Sequence, residues 1–391
     1  MLYGIQYRIY PNASQREYFA KSFGCVRWVY NNALAYCQQQ RENREKHPTS
    51  IDLQKRLSPL KSEFEWLKEV DSQALKEACR DVDAAFKHFF RRVKNGEKAG
   101  YPKFKTKHNL RQSFTCTQNM HIKVFNGVMK LPKIGWVKFR GGREFEGKIK
   151  RITVRQLSSG IYIATALIED NRELPAKPAF NLQPMGIDVG CKTEGDAHQF
   201  AVLSSGEVVY SPALLKRYRK QMNRLQRQLA RKLKGSSNRN KLKQRIAKLH
   251  WRISNMRNDF LHKFSYTLTR DNQALAIENL NVKGMMAKPK SKKDEEGNYL
   301  ENGAKRKAGL NRSLADVAIG EFFRQLEYKC AWRGVALLKI DRFAPSSKTC
   351  SACGLVNKEL TLAMRKWRCT CGAYHHRDIN AAINIANMAI A

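Results

Sequence analysis

Apolar side chains recur at three- and four-residue spacing along two faces near the start of the chain. Phe19, Phe23, Val26, Val29, Tyr30 and Leu34 make the first face and predict a helix over 15–42, with Ser14 as its N-cap. Leu75, Cys79, Val82, Ala85, Phe86 and Phe89 make the second and predict a helix from Ser72 to Val93 capped by Asp71. Another helix is expected between them at about 51–68. Residues 1–10 read as a strand, which Pro11-Asn12-Ala13-Ser14 ends. The stretch Lys94 to His108 is a basic loop punctuated by glycine and proline.

The pattern changes after about residue 110. Phe114–Thr117, His121–Val124, Val128–Leu131, Trp136–Phe139, Ile149–Gln156 and Ile161–Glu169 are short β-rich runs separated by turn signals. They predict a small β-barrel that the strand at 3–10 joins, with the helices of about 15–95 as an insertion. The Pro-containing stretch Leu174 to Pro184 reads as a domain boundary.

The second half begins with a buried strand, Met185 to Val189. A hairpin partner is expected at Gln199–Leu203 and a third strand at Val208–Tyr210. Tyr218, Met222, Leu225 and Leu229 predict a helix at about 212–233. Leu242, Ile246, Leu249, Ile253, Met256 and Phe260 predict another at 239–270, with Gly235-Ser236-Ser237 as the turn of this antiparallel hairpin. Ala274–Ile277 is a strand that leads into Glu278. Lys283 to Arg312 is polar and basic and reads as a mobile loop or lid. A helix at 313–333, a strand at 335–340 and a final helix at about 379–389 complete the pattern.

Charge narrows the function. The 391 residues carry 73 Lys and Arg against 34 Asp and Glu, a net charge of +39. Such self-repulsion is relieved by a polyanion, and nucleic acid is the usual one. From Ser211 to His250 there are 14 basic residues and no acid, whereas a merely solvated face mixes signs. A ribosome-like structural protein and a membrane-surface protein are the other readings of the charge. No stretch of about 18 apolar residues supports a membrane role. The N-terminus lacks the pattern of a signal peptide, so a cytoplasmic, nucleoid-associated protein is expected.

Three acids stand at structurally meaningful places. Asp188 follows Met185-Gly186-Ile187, Glu278 ends Leu275-Ala276-Ile277, and Asp378 opens Asp-Ile-Asn-Ala-Ala-Ile-Asn-Ile. An acid in an apolar strand is costly unless it is paired or binds a cation. Converging carboxylates would bind Mg²⁺, and two such ions can cleave a phosphodiester. Taken singly, the acids also fit a turn residue, a surface strand end and a helix N-cap.

Six of the ten cysteines (Cys25, Cys37, Cys79, Cys116, Cys191 and Cys330) are scattered and read as reduced core thiols. Cys350, Cys353, Cys369 and Cys371 form two close pairs 15 residues apart, a pattern for one structural Zn²⁺. Gly354 and Gly372 follow each pair. The second pair is one residue short of the usual knuckle, which leaves His375 as an alternative ligand to Cys371.

Gly186-Ile187-Asp188-Val189-Gly190 with Phe200–Gly206, then Ile277-Glu278-Asn279-Leu280, then Arg377-Asp378-Ile379-Asn380-Ala381-Ala382 resemble the three RuvC motifs of TnpB proteins. Tyr10-Pro11-Asn12 and Trp28-Val29-Tyr30-Asn31 are similar to the same family, so the resemblance spans nearly the whole chain. It implies an α/β plus β fold. An RNase H-like (RuvC) nuclease domain at 184–391, with a helical hairpin and a zinc ribbon inserted at 345–375, follows an oligonucleotide-binding-like β-barrel at 1–12 and 110–178. A helical recognition insertion at 13–109 completes it. The resemblance also implies an RNA-guided DNA endonuclease related to type V CRISPR effectors. It would act as a monomer on a guide RNA from the transposon end and cut double-stranded DNA beside a short motif. Asp188, Glu278 and Asp378 would hold its two Mg²⁺.

Two departures from the family pattern bear on activity. Thr193–Gln199 separates the first motif from Phe-Ala-Val and includes added residues, which would be harmless at a hairpin tip but would displace Asp188 from within a strand. His375-His376-Arg377-Asp378 lacks one acid that the family often carries, though it keeps the Asp spaced two before Asn380. A nuclease-inactive guided repressor and a transposition accessory protein are the competing readings. No short motif names the nucleic-acid contacts. Ser72, Gln73 and Lys76 are candidate DNA readers, or an ordinary solvated helix start. Lys103, Lys105 and Lys107, with Tyr101 and Phe104, either grip a strand or anchor a loop, and Arg217, Arg224 and Arg227 are candidate backbone contacts.

Overall fold

The computed structural model describes residues 1–108, 112–117, 122–176, 183–361 and 363–390. The expected strand start at His121, the domain limits at 109, 110, 178 and 391, and residues 177–182 of the boundary stretch lie outside the described residues. The chain divides into two compact units, Met1–Arg172 and Glu173–Ala391.

In the first unit, β1 (Leu2–Tyr10) leads into α1 (Ala13–Glu42). Asn12, not Ser14, caps α1. Its side chain accepts from Gln15 N while Gln15 reaches back to Asn12 N, a reciprocal capping box. The helix expected at 51–68 is broken into α2 (Ser50–Lys55), α3 (Leu57–Glu63) and a 3₁₀ turn, Glu65–Glu69. Pro59 explains the first break, since its ring would clash with the Lys55 carbonyl in a continuous helix. α4 (Ser72–Lys94) follows, with Asp71 accepting from Gln73 N as its cap.

The β-rich runs become β2 (Gln112–Cys116), β3 (Lys123–Phe125), β4 (Val128–Leu131), β5 (Gly135–Arg140), β6 (Lys148–Gln156) and β7 (Tyr162–Glu169). They form an antiparallel sheet with β1 in the order β2-β6-β7-β1-β5-β4-β3. Thus β1 lies mid-sheet, and α1–α4 are an excursion between β1 and β2. One core joins Ile5, Tyr7, Ile9, Ile152, Val154 and Ile168 of the sheet to Phe19, Phe23, Leu75 and Val82 of the helices. The end strands β2 and β3 pair with β6 and β4 and not with each other among the described residues, which form an antiparallel sheet.

The second unit holds β8 (Met185–Glu194), β9 (Ala197–Leu203), β10 (Val208–Pro212), α5 (Leu214–Ala230), α6 (Ser237–Asp271) and β11 (Ala274–Glu278). Then come α7 (Val282–Met285), the short hairpin β12 (Lys292–Lys293) and β13 (Tyr299–Leu300), α8 (Ala304–Val317), α9 (Ile319–Arg333) and β14 (Ala336–Ile340). Last are β15 (Lys366–Arg368), β16 (Tyr374–His376) and α10 (Arg377–Met388). The main sheet runs β10-β9-β8-β11-β14, with β8, β11 and β14 parallel and the others antiparallel.

Two expectations fail here. The polar stretch 283–312 is not all loop, because α8 already begins at Ala304. Its Lys, Arg, Ala and Leu residues are strong helix formers, and low apolar content reflects an exposed helix. The helix expected at 313–333 is also two helices, parted at Ala318, which has a left-handed φ of 52°. No glycine or proline marks that break in the sequence.

Candidate catalytic carboxylates and metal ribbon

The parallel pairing of Ile187 with Ile277 sets the next residues, Asp188 and Glu278, side by side on neighbouring strands. α10 brings the third acid. It packs on β8 because Gly186 offers no side chain. A Cβ there would stand 1.9 Å from the Ala382 carbonyl oxygen and 2.9 Å from Ala386 N. Asp378 is the second residue of α10, whose N-cap is His376 with no side-chain cap bond, so Asp378 is not the cap its position first suggested.

Burial pushes the Asp188 carboxyl up to about 8. The charges of Glu278 and Asp378 push in the same direction, while Arg377 and Arg365 pull against them. Glu278 Oε1 accepts from Ser346 Oγ at 2.8 Å. Asp378 accepts from Gln199 Nε2 at 3.0 Å and from Arg365 at 3.1 and 3.3 Å. Asp188 is thus a buried carboxyl whose charge is disfavoured beside two further acids, and oxygen donors of this kind are the ones a hard divalent cation takes.

Ser346, Gln199 and Arg365 carry no signal in the sequence, since none of them sits in a telling pattern. Gln199 belongs to the segment with added residues. Those residues lengthen the β8–β9 hairpin at its tip, where Thr193 pairs with His198 and Glu194 with Ala197 around Gly195-Asp196. A register shift between Val189 and Lys192 absorbs the change, and Asp188 stays paired with Val202. Alternation then sends adjacent side chains apart. Gln199 reaches Asp378, while buried His198 meets Asp316 of α8 at 3.2 Å. The same Asp316 oxygen accepts from Leu215 N at 2.8 Å, near the start of α5, which has no side-chain cap of its own.

The four clustered cysteines converge, with all Sγ atoms within 4.8 Å of one another. Cys350 and Cys371 sulfurs lie 3.8 Å apart, and those of Cys353 and Cys369 lie 3.6 Å apart. Tetrahedral Zn–S bonds of about 2.3 Å imply sulfur separations of about 3.8 Å, so the donors fit a zinc ion. Gly354 and Gly372 take left-handed φ values of 78° and 91° and close both knuckles. His375 Nε2 sits 3.0 Å from Cys350 Sγ, beside a four-cysteine set that is complete without it. α10 also clamps the ribbon. Asn380 donates to Thr349 O and accepts from Ser351 N, and Asn384 donates to Ser346 O and Thr349 O.

The candidate nucleic-acid residues separate into two groups. Arg217, Arg224 and Arg227 are exposed on α5, and Lys103, Lys107 and Phe104 are exposed in their loop. Lys105 is instead committed inward. Its ammonium is 3.5 Å from Asp81 and 3.8 Å over the Tyr30 ring, and its backbone bonds to Asn31 on both sides. Tyr101 packs edge-on against Phe86 and Phe89, so it anchors the loop. Ser72 is exposed and accepts from Lys61, while Gln73 and Lys76 are half-buried.

Comparison with known proteins agrees with this layout. Residues 168–288 match the OrfB family of IS605 elements, described as "Probable transposase", and residues 320–385 match a "Cas12f1-like, TNB domain". Residues 1–46 match a helix-turn-helix family model of the same OrfB group, although here they form one strand and one long helix with the start of the following turn. Two solved structures share the fold. A Cas12f1–sgRNA–target DNA complex aligns at a TM-score of 0.55 with 15% identity, covering 96% of this chain and 83% of the other. The mini-RNA-guided endonuclease CRISPR-Cas_phi3 aligns at 0.54 with 11% identity, covering 100% and 92%.

A candidate RNA-guided DNA endonuclease of Streptomyces pristinaespiralis is 36% identical over 97% of this chain and 87% of its own length. InsQ of Escherichia coli K12, named in the same way, is 33% identical over 98% and 91%. The chain belongs to the TnpB family.

Proposed function

We propose that the protein is an RNA-guided DNA endonuclease. It binds a guide RNA made from the transposon end, probes double-stranded DNA for a short adjacent motif and hydrolyses the target backbone. The observation that carries this reading is that Asp188 and Glu278 each follow a paired position on the neighbouring strands β8 and β11, while the charge of Asp378 also acts on Asp188. The β10-β9-β8-β11-β14 sheet, three antiparallel strands continued by two parallel ones, supports an RNase H-like nuclease domain.

Asp188, Glu278 and Asp378 would hold a pair of Mg²⁺ ions. Bound there, the metals supply an activated water and charge stabilisation for the leaving oxygen. Ser346 orients Glu278, and Gln199 with Arg365 orients Asp378. The four cysteines would hold one structural Zn²⁺ and so fix the ribbon that carries Arg365. Exposed Arg217, Arg224 and Arg227 would neutralise backbone phosphate, and the net charge of +39 favours a polyanionic partner such as the guide RNA. Among the described residues no helix is long and apolar enough to cross a membrane.

The test is cleavage of a plasmid library with randomised flanks. The protein is co-expressed with its downstream transcript, retargeted to the library, and supplied with Mg²⁺. Cutting next to one short motif, lost in Asp188→Ala, is expected. Selective binding with no cutting by the parent protein would instead make it a guided repressor.

A further inference from the structure

Phe343 is 85% exposed, more than any other large apolar side chain among the described residues. A floppy loop would explain such exposure, but the turn at 341–346 is fixed at several points. Asp341 Oδ1 accepts from Phe343 N at 2.7 Å. Arg342 Nε donates to Asn279 O, the residue after Glu278. Ala344 packs with Ile340, Ala276 and Ile385 against α10. Ser346 donates to Glu278 and its carbonyl accepts from Asn384. A bare aromatic ring is therefore held out to solvent on a rigid mount that shares two bonds with the neighbourhood of Glu278.

Position strengthens the point. Glu278 pairs with Ile340 on the adjacent parallel strand, so Phe343 follows the same C-terminal end of the parallel strands as Glu278. Three residues span at most about 10 Å. The strand spacing from Ile340 to Glu278 adds about 4.8 Å, and stacked nucleotides advance about 3.4 Å each, which puts the ring within about five nucleotides of a phosphate bound at the carboxylates. Every nucleobase has an apolar face, and an aromatic platform accepts any of them without reading sequence. Such a platform suits a guided enzyme, whose protein part must cut whatever sequence the guide selects.

We propose that Phe343 is a stacking platform for an unpaired base of the DNA strand entering the carboxylate site, a subsite that fixes which phosphate is cut. This rests on the nuclease reading above. The ring touches the substrate strand but takes no part in bond breaking.

The experiment uses guide-loaded protein and target DNA with 2-aminopurine placed singly within about five nucleotides of the cut, on either side. Ca²⁺ replaces Mg²⁺ so that the strand stays whole. Quenching at one position, lost in Phe343→Ala and kept in Phe343→Trp, is expected. With Mg²⁺, an abasic nucleotide at that position should slow the parent protein about tenfold and leave Phe343→Ala no slower than it already is. A scan with no quenched position, or quenching that survives in Phe343→Ala, overturns the proposal. So does a lowered melting temperature of Phe343→Ala, which would make the ring a packing residue. Absence of cutting by the parent protein sinks the nuclease reading alone, because the fluorescence scan still decides whether the ring stacks.

Discussion

Gly186 and Ala382 approach so closely that a single methyl group on Gly186 would stand 1.9 Å from the Ala382 carbonyl oxygen. The contact is between backbones, so no side chain can swing aside. Gly186→Ala is expected to push α10 off β8, costing about 1–3 kcal/mol of stability. It should also move Asp378 away from Asp188, with a loss of cutting on the order of a hundredfold. Cleavage rates beside a thermal melt test this, and near-parent cutting would show that α10 does not depend on that glycine.

Asp188 predicts a pH dependence. Its folded pKa of about 8 lies above the ordinary aspartate value of 3.8. The metal-free protein therefore takes up a proton on folding between those values. The stability this group contributes is complete below about 3.8 and is lost as pH rises toward 8. A divalent cation competes for the same carboxylate. Its apparent affinity should climb about tenfold per pH unit and level off above about 8. Mn²⁺ titrations across that range check the slope, and Glu278→Gln, which removes a neighbouring charge, should move the plateau to lower pH.

Gln199 holds Asp378 by one hydrogen bond, donated from its side-chain amide. Gln199→Ala leaves the fold intact but frees the carboxylate, and about 10- to 100-fold weaker metal activation is expected. The Mg²⁺ concentration for half-maximal cutting reads this directly. Unchanged Mg²⁺ dependence would assign Gln199 to the hairpin alone.

The ribbon should carry one zinc per chain. Cys371→Ser is expected to release it and to change the fluorescence of Trp367, which packs with Cys350 and Cys369. His375→Ala should retain zinc, because its ring meets the Cys350 sulfur from outside the four-cysteine set. Loss of zinc from His375→Ala, with retention in Cys371→Ser, would reverse the ligand assignment.

Charge on α5 should appear in the salt dependence. Replacing Arg224 and Arg227 together with Ala is expected to flatten the slope of log affinity against log salt by about 0.7–0.9 per lost phosphate contact. Sequence preference should not change, and an unaltered slope would leave α5 off the nucleic-acid path.

Elements with a clear period are legible in the amino-acid sequence. The face from Leu75 to Phe86 announces α4 and its Asp71 cap, and the apolar runs ahead of Asp188 and Glu278 announce the two strands that carry them. Breaks set by tertiary contacts are not legible. The kink at Ala318 has no glycine or proline to mark it, and α8 is too polar to resemble a packed helix. The supporting side chains escape for another reason. Gln199, Arg365 and Ser346 act on acids 179, 13 and 68 residues away in sequence, and such spacing follows no period. Lys105 resembles its neighbours Lys103 and Lys107, but Asp81 and Tyr30, which turn it inward, lie far off along the chain.

The three acids come from positions 188, 278 and 378. Synthesis at about 5–20 residues per second leaves about 5–20 seconds between emergence of the second acid and the third. Throughout that interval the ribosome displays the first unit, the basic helical hairpin and two of the three carboxylates, while α10 does not yet exist. On the proposed function, a growing chain would thus be disarmed by the order of its own sequence, and every product truncated before Asp378 would stay so.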